Sequence, residues 1–376
     1  MKVLIASGGS GGHIFPAIAL AESLKKNAKN IDILFVGSDK ALDRRIFEKE
    51  NFRYKLLSAN KLPYKISLQI IPFFFRLFLD TLKAFFIMIL YRPNVVVGFG
   101  GYVQCPVLCF ACLFGLPKIL HEQNVVPGRS NKMFFKFVNK IALSFEATKR
   151  YMNEDALKAV VTGNPIRQDL RDLIEKSDRT SSLKVLGLKG FGLNPDKFTI
   201  LVAGGSQGSR FLNDTFVKTL SHLNYTEKKI IQVIHITGVQ DYEPAMKAYE
   251  EMGIENRVYS FIDRIEEAYA GSDIVLTRSG ASAVFELAFF AKPMILVPYR
   301  FAMNHQAENA NVFVEKGAAI RIDETDLSTD RLKDVIIDLL HNKDKRDAMS
   351  KAAQSLSFPG AADKMAEEVI AITDKR

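Results

Sequence analysis

The stretch SGGSGGHIFP, residues 7–16, places four glycines ahead of one histidine where a helix is expected to begin. After a strand, such glycines let backbone N–H groups approach a ligand, and the positive N-terminal end of the next helix favours phosphate. The imidazole of His13 has an ordinary pKa near neutral pH, which suits a general base. The stretch therefore predicts a phosphate-bearing ligand beside a proton acceptor. A histidine that only caps the turn or binds phosphate is the alternative.

Two more glycine loops follow strand-like apolar runs: GFGGY at 98–102 and GGSQGS at 204–209. The strand–loop–helix pattern that begins at Val3 is repeated from Ile200, which predicts two similar α/β domains facing each other. The GGS loops are not the dinucleotide fingerprint G-x-G-x-x-G, because Ile14 takes the last glycine position. The first is not an ATP-binding P-loop either, because His13 stands where its lysine would be. NAD-linked and ordinary ATPase chemistry are both disfavoured.

A third cluster of polar side chains occupies residues 277–309, around the segments RSGASAVFE and NHQAEN. The Glu286 carboxylate can accept two hydrogen bonds from a ribose diol, and amides such as that of Gln306 suit sugar hydroxyls. These groups follow predicted strands, and ligands of open α/β sheets bind at the carboxyl ends of strands. The chain contains no D-x-D and no H-E-x-x-H motif. A metal-centred mechanism therefore lacks its usual ligands, and no cofactor is predicted.

Short apolar runs alternate with longer helical patterns along the whole chain, which predicts an α/β fold with doubly wound parallel sheets. The predicted strands are 3–6, 31–36, 95–98, 118–120, 200–203, 230–236, 274–277 and 294–297. The domain boundary is expected near TGNPIR, because a residue before proline disfavours a continuing helix. A last helix, with Met365, Val369 and Ile372 on one face, fits against either domain.

Charge divides unevenly along the chain. Up to Gly163 there are 23 Lys and Arg against 11 Asp and Glu, and beyond it 28 against 31. The basic first part favours an anionic partner, which could be nucleic acid, anionic lipid or a phosphorylated substrate. The N-terminus lacks the apolar region of a signal peptide, so a cytoplasmic protein is expected.

Residues 66–90 form the most hydrophobic stretch. Arg76, Asp80 and Lys83 would each cost about 2.5 to 3.5 kcal/mol inside a bilayer, which argues against a membrane span. Their i, i+4, i+7 spacing predicts one polar stripe on a helix with more apolar surface than a sheet needs. We expect a patch on an anionic membrane surface, with a buried helix or dimer contact as the alternative, and this disfavours nucleic acid. The candidate patch residues are Phe73, Phe74, Phe75, Phe78, Phe85 and Phe86.

Three cysteines, Cys105, Cys109 and Cys112, lie at helical spacing among apolar residues. An odd number of cysteines argues against a disulfide framework and for a reducing compartment. A thiolate metal site would lack a fourth ligand nearby. We therefore expect all three thiols to pack in the core.

Taken in order, GGSGGHIFPAIALA, GFGGY, HEQNVVPGRSNK, GNPIR, GGSQGS, FID, RSGASAVFE and HQAEN resemble one family over nearly the whole chain. This family comprises the UDP-N-acetylglucosamine:undecaprenyl-pyrophosphoryl-MurNAc-pentapeptide N-acetylglucosaminyltransferases, which make lipid II from lipid I in peptidoglycan synthesis. The resemblance implies a GT-B fold, in which residues 1–163 plus 355–376 bind the acceptor and the membrane. Residues 164–354 would bind UDP-GlcNAc. It also implies a peripheral enzyme on the cytoplasmic face of the membrane. Cell-wall synthesis proteins are candidate partners.

The resemblance further implies site residues. Ser10, Gly11, Gly12 and Asn124 would line the cleft near the sugar and phosphates, and Arg167, Ser206, Ile262 and Gln306 would hold the donor. The helix segment that would also contact the donor comprises Ala281, Ser282, Ala283, Val284, Phe285 and Glu286. Three positions depart from the family pattern: Ser10 and Ala283 stand where Thr is common, and His305 stands where Gln is frequent.

The implied reaction is a single inverting displacement at the anomeric carbon of the donor. His13 is the candidate base and Glu122 its rival, or a group that orients His13. Backbone amides after Gly205 and an arginine, Arg167 or Arg278, would stabilise departing UDP. Three alternatives remain open: a UDP-sugar:diacylglycerol glycosyltransferase, a UDP-sugar 2-epimerase of the same fold, and a nucleotide-sugar sensor without catalysis.

Overall fold

The computed structural model describes residues 1–374 apart from residues 29, 59–69, 181, 206–207 and 302–303. The chain divides into two compact units. The first unit comprises Met1–Arg167 and Phe358–Arg376, and the second comprises Gln168–Ser357. Both units are parallel α/β structures, so the predicted fold class is confirmed.

Within the described residues, the first unit contains a seven-stranded parallel sheet of order β3-β2-β1-β4-β5-β6-β7. Its strands are β1 (Lys2–Ala6), β2 (Asp32–Ser38), β3 (Arg53–Leu57), β4 (Val95–Gly98), β5 (Lys118–Glu122), β6 (Lys140–Leu143) and β7 (Ala159–Val161). Its first helices are α1 (Gly11–Asn27), α2 (Ala41–Lys49), α3 (Ile70–Tyr91), α4 (Gln104–Leu113) and α5 (Arg129–Phe134). Three 3-10 segments follow at Phe135–Phe137, Glu146–Tyr151 and Asn153–Lys158.

The sheet of the second unit has six parallel strands in the order β10-β9-β8-β11-β12-β13, counted over the described residues. Its strands are β8 (Phe198–Ala203), β9 (Ile231–Ile236), β10 (Glu255–Tyr259), β11 (Ile274–Thr277), β12 (Met294–Leu296) and β13 (Ala319–Arg321). Its helices are α6 (Gln168–Thr180), α7 (Leu183–Lys189), α8 (Arg210–Ser221), α9 (Tyr225–Ile230), α10 (Tyr242–Met252), α11 (Ile265–Gly271), α12 (Ala281–Phe289), α13 (His305–Glu315), α14 (Thr329–His341) and α15 (Lys343–Ser355).

The last helix, α16 (Ala361–Asp374), packs on α1 in the first unit. Met365 and Val369 are fully buried in the core that α1 shares with the sheet. Polar contacts reinforce the packing, because Ser23 Oγ donates to Asp363 Oδ1 at 2.6 Å. Lys364 also donates to the carbonyl of Val161, at 2.7 Å. The helical pattern alone left the position of this helix open, whereas the family resemblance implied that residues 355–376 belong with the first domain.

Helix α3 buries Asp80, Ala84, Met88 and Tyr91 along one face. The predicted polar stripe is therefore wrong at Asp80, which is 4% exposed and accepts a hydrogen bond from the Ser58 N–H at 2.8 Å. This bond satisfies a backbone donor just after β3, so the carboxylate is drawn to the buried face. Among the described residues, no helix combines the length and hydrophobicity that a membrane span needs.

The exposed side of α3 and α4 forms an apolar surface. Its residues are Phe75, Leu77, Phe78, Leu79, Leu82, Phe86, Ile89, Leu90, Leu113 and Phe114. The candidates Phe75, Phe78 and Phe86 therefore lie on this surface. Phe85 is half-buried, with its ring 5.4 Å from that of Phe110, and the side chains of Phe73 and Phe74 lie outside the described part.

The cysteines do not all pack in the core as predicted. Cys105 and Cys112 are half-buried, whereas Cys109 is exposed because α4 turns its side toward solvent. Cys109 and Cys112 have the C-x-x-C spacing, but the described residues contain no group of three His, Cys, Asp or Glu arranged to hold a metal ion. Burial raises the pKa of Cys105 to about 11, so this thiol stays protonated at neutral pH.

Candidate functional site

The two glycine loops of the first unit meet where its strand order reverses. Strands β1 and β4 are neighbours, and the chain leaves them in opposite directions along the sheet. In open α/β sheets this switch point is where ligands bind. A Cβ on Gly101 would lie 2.8 Å from the carbonyl oxygen of Gly8, so the loops approach more closely than any side chain would allow. Gly101 also has φ +77, which favours glycine.

The partly buried imidazole of His13 lies between these loops. Its Nδ1 is 3.3 Å from the carbonyl oxygen of Gly8 and 3.3 Å from Ser10 Oγ. A carbonyl only accepts, so this contact favours the tautomer with hydrogen on Nδ1 and leaves the lone pair on Nε2. On the other side of the ring, a Cβ built on Gly100 would lie 3.1 Å from Nε2. The basic nitrogen thus faces the second glycine loop.

Burial keeps the His13 imidazole in its neutral form at neutral pH. Burial lowers the pKa of His13 below its ordinary value of 6.5, and the positive charge of Lys40 lowers it further. The Gly8 carbonyl and the negative charges of Glu122 and Asp43 raise the pKa in part. The net direction is downward, so the His13 imidazole is neutral at neutral pH.

Glu122, the rival base, is 1% exposed and its carboxylate is held by neighbouring donors. Oε2 accepts from the Gly128 N–H at 2.9 Å and from Asn131 Nδ2 at 2.7 Å. Oε1 accepts from the backbone N–H of Asn124 at 2.9 Å and from its side-chain amide at 3.4 Å. These contacts shape the loop after β5 and place Asn124 at its edge. A carboxylate that already accepts from so many donors has little capacity left to take a proton from a substrate.

Asp43 holds the first glycine loop, and no sequence motif indicated it. It is fully buried on α2, and its Oδ2 accepts from the backbone N–H groups of Gly9 and Ser38, both at 2.9 Å. Lys40 donates to the carbonyl of Gly9 at 2.9 Å. Because these residues lie some thirty positions from the loop, only the pairing of β1 with β2 brings them there.

His121 is a second histidine near this site. It is fully buried, with Nε2 3.3 Å from the carbonyl oxygen of Gly163 and 3.3 Å from Ser144 Oγ. Burial lowers its pKa to about 4. It therefore stays neutral and ties β5 to the turn at Gly163. Arg167 is 7% exposed and places its guanidinium 4.5 Å from the ring centroid of Phe15 on α1.

In the second unit, the predicted donor residues gather at the carboxyl edge of the sheet. The reversal lies between β8 and β11. Of the predicted donor residues that the structure describes, those in this unit lie in the segments after β10, β11 and β12, with Ile262 half-buried after β10. Arg167 instead belongs to the first unit. Ser206 lies outside the described residues.

Helix α12 begins at Ala281, and Gly280 precedes it as the N-cap. The backbone N–H groups of Ala281, Ser282 and Ala283 form its first turn, which contains no acidic side chain. Val284 and Phe285 are 0% and 2% exposed, so their side chains belong to the core. Sequence reasoning did not separate these core positions from ligand positions.

Glu286 is 8% exposed, and its Oε2 accepts from the Tyr269 hydroxyl at 3.1 Å. Gln306, on the first turn of α13, accepts from the Tyr299 N–H at 2.9 Å through Oε1. Its backbone carbonyl accepts from Ser279 Oγ at 2.8 Å. The Ser279 bond connects the loop after β11 to α13, and the Tyr269 bond ties Glu286 on α12 to α11.

The Arg278 side chain makes its hydrogen bonds and its ion pair within the second unit. Its guanidinium donates to the carbonyl of Val297 at 3.1 Å and to Ser209 Oγ, the N-cap of α8, at 2.7 Å. It pairs with Glu324 at 2.5 Å, and both side chains are about nine-tenths buried. The Arg278 guanidinium is thus engaged within the second unit.

The chain matches two family models, the glycosyltransferase family 28 N-terminal domain at residues 3–143 and the glycosyltransferase family 28 C-terminal domain at residues 199–365. A relative from Desulforamulus reducens is 35% identical over 369 residues, covering 96% of each chain. One from Flavobacterium psychrophilum is 36% identical over 377 residues, covering 100% of this chain and 98% of the relative. Both bear the name UDP-N-acetylglucosamine--N-acetylmuramyl-(pentapeptide) pyrophosphoryl-undecaprenol N-acetylglucosamine transferase.

The chain belongs to this transferase family. The resemblance seen in the motifs is confirmed, and the protein is a glycosyltransferase.

Solved structures confirm the GT-B fold of the transferase. MurG of Acinetobacter baumannii superposes with a TM-score of 0.74 at 24% identity, over 99% of this chain and 100% of that one. A UDP-GlcNAc 2-epimerase from Neisseria meningitidis, solved with UDP-GlcNAc, superposes with a TM-score of 0.72 at 14% identity, over 99% and 100%. At these identities the likeness concerns the fold alone.

Proposed function

We propose that the transferase moves GlcNAc from UDP-GlcNAc to undecaprenyl-pyrophosphoryl-MurNAc-pentapeptide, lipid I, and so forms lipid II. The observation that carries this function is the 35% and 36% identity, over almost the entire chain, to transferases with that name. The 2-epimerase alternative is disfavoured, because a solved epimerase shares the fold at only 14% identity. Nothing favours a diacylglycerol acceptor.

The acceptor hydroxyl gives its proton to Nε2 of His13 while its oxygen bonds to the anomeric carbon of GlcNAc. The bond from that carbon to the UDP oxygen breaks at the same time, and the configuration inverts. The support for His13 is its Nδ1–Gly8 contact and its lowered pKa, which leave Nε2 ready to accept. Glu122 acts indirectly, because its charge stabilises the imidazolium that forms.

The second unit takes the donor. Backbone N–H groups at the first turns of α8 and α12, with Ser206, would hold the diphosphate. Arg167, a residue of the first unit, would also contact the donor. The Glu286 carboxylate would accept hydrogen bonds from the ribose diol, and Gln306 would bind the GlcNAc sugar. Ile262 would contact the uracil base of UDP. Ser10, Gly11, Gly12 and Asn124 would meet the reacting sugar on the first unit.

The apolar surface of α3 and α4 would rest on the cytoplasmic face of the membrane, where lipid I is anchored. Exposed Phe75, Phe78 and Phe86 would enter the interface, and exposed Arg76 and Lys83 would meet anionic headgroups. The enzyme would thus be a peripheral membrane protein.

One assay tests the reaction. UDP release from UDP-GlcNAc is followed with and without lipid I; release that requires lipid I supports transfer. Epimerised sugar, or no UDP release at all, would overturn it. His13→Ala should lower kcat about 10²- to 10⁴-fold with little change in the KM for UDP-GlcNAc, whereas Glu286→Gln should raise that KM. Equal losses of kcat and donor affinity in His13→Ala would remove it from the base role.

A second experiment tests the membrane surface. Replacing Phe75, Phe78 and Phe86 together by Ser should release the protein from anionic vesicles without changing its melting temperature. Tyr225→Ser, which alters a 75% exposed aromatic residue of the second unit, is the control and should leave vesicle binding intact. Unchanged binding of the triple variant would refute this surface.

A further inference from the structure

One peptide group beside His13 is held at both ends by glutamine side chains. The carbonyl oxygen of Phe99 accepts from Gln123 Nε2 at 2.7 Å, and the N–H of Gly100 donates to Gln104 Oε1 at 2.8 Å. This carbonyl and this N–H belong to the same planar unit. The glutamines come from different elements, since Gln104 begins α4 and Gln123 follows β5.

Both glutamines are buried, with Gln104 0% and Gln123 2% exposed, so water does not replace either bond. The Gln104 amide is itself fixed, because its Nε2 donates to Asn131 Oδ1 at 2.7 Å. Asn131 in turn donates to Glu122. A Cβ on Gly98 would lie 2.5 Å from Gln104 Oε1, so a glycine at this position leaves room for the amide.

The peptide needs such a restraint. Gly100 has φ +98 and Gly101 has φ +77, and glycine crosses between backbone conformations at little cost. A rotated Phe99–Gly100 peptide would change the surface that faces His13 Nε2. We infer that Gln104 and Gln123 are positioning residues, a glutamine clamp that locks this peptide and thereby the approach of the acceptor hydroxyl to His13. This role rests on the proposed function and deepens it.

The test uses Gln104→Met and Gln123→Met, singly and together, in the full-length protein. Gln232→Met is the matched control, because Gln232 is also 0% exposed and donates to the Asn194 carbonyl at 2.7 Å and Thr199 Oγ1 at 2.8 Å, in the second unit. For each variant, kcat, the KM for UDP-GlcNAc and the melting temperature are measured. Exchange of the Gly100 amide hydrogen is followed by NMR.

Each clamp variant should lose about 10- to 100-fold in kcat at unchanged donor KM, because small misplacements of reacting groups are costly. The double variant should lose no more than the worse single variant, since both bonds restrain one peptide. Gln232→Met should lower the melting temperature and keep kcat. Losses that multiply, or a lowered melting temperature with wild-type kcat in the clamp variants, would overturn the inference.

Failure of the proposed function can be distinguished from failure of the glutamine clamp. If the wild-type protein releases no UDP with lipid I, that function falls, and the clamp is judged by exchange alone. Faster exchange of the Gly100 amide in both single variants then supports the clamp, and unchanged exchange overturns it.

Discussion

Gly100→Ala probes how tightly the second glycine loop confines His13. The added Cβ would lie 3.1 Å from Nε2 and 3.3 Å from Cδ2 of the imidazole, so the ring must shift by a few tenths of an ångström. A misplacement of about 1 Å costs about 100-fold in rate, so this smaller shift should lower kcat about tenfold. Alanine at φ +98 should also cost about 1 to 3 kcal/mol of stability.

Gly115→Ala separates the two effects. Gly115 also has a positive φ, +63, but a Cβ there meets nothing within 4 Å. Gly115→Ala should therefore lower the free energy of unfolding by about 1 to 2 kcal/mol and leave kcat unchanged. The assay is acceptor-dependent UDP release at saturating substrates, with urea unfolding of each variant in parallel.

A double variant decides whether the effect passes through His13. If it does, Gly100→Ala should add little to the loss already caused by His13→Ala. The reasoning is refuted if Gly100→Ala lowers the kcat of His13→Ala by the same factor as that of the wild type. It is also refuted if Gly115→Ala loses as much activity as Gly100→Ala.

Two further predictions concern charges. Asp43→Asn should move the acid limb of the kcat profile to lower pH, because the negative charge that it removes raises the pKa of His13. Lys40→Gln should move the acid limb to higher pH, because the positive charge that it removes lowers that pKa. Measuring kcat over a pH series checks both signs. Arg278→Met leaves Glu324 buried without its ion-pair partner, so it should lower the free energy of unfolding in urea by about 3 to 5 kcal/mol. The same variant should raise the KM for UDP-GlcNAc. Adding Glu324→Gln to Arg278→Met should restore part of the lost stability.

Eight of the nine interior strands in the described sheets were predictable from the sequence, whereas the interior strand β6 and the four edge strands were not. All eight predicted runs are strands, and β1, β4, β8 and β11 lie in the middle of their sheets, where both faces are covered and the residues are apolar throughout. The edge strands β3, β7, β10 and β13 escaped prediction. They are only partly buried, and edge strands keep polar residues that blur the pattern.

The site divides in the same way. The glycine loops and His13 were predictable because their chemistry lies in consecutive residues: a strand, a turn that only glycine can make, and a helix N-terminus. The surroundings of Glu122 were not predictable from the sequence. Its carboxylate accepts four hydrogen bonds from residues 124 to 131, and these form only when the loop after β5 has folded.

The sequence by itself determined the fold class, the family, the glycine loops and the histidine they surround, because those depend on residue type and short-range spacing. Only the tertiary structure decided that Asp80 is buried, that Arg278 is engaged within its unit, that α16 packs on α1, and that Gln104 and Gln123 meet at one peptide. These contacts join residues distant in the chain, and strand order, which no local pattern specifies, sets which of them become neighbours.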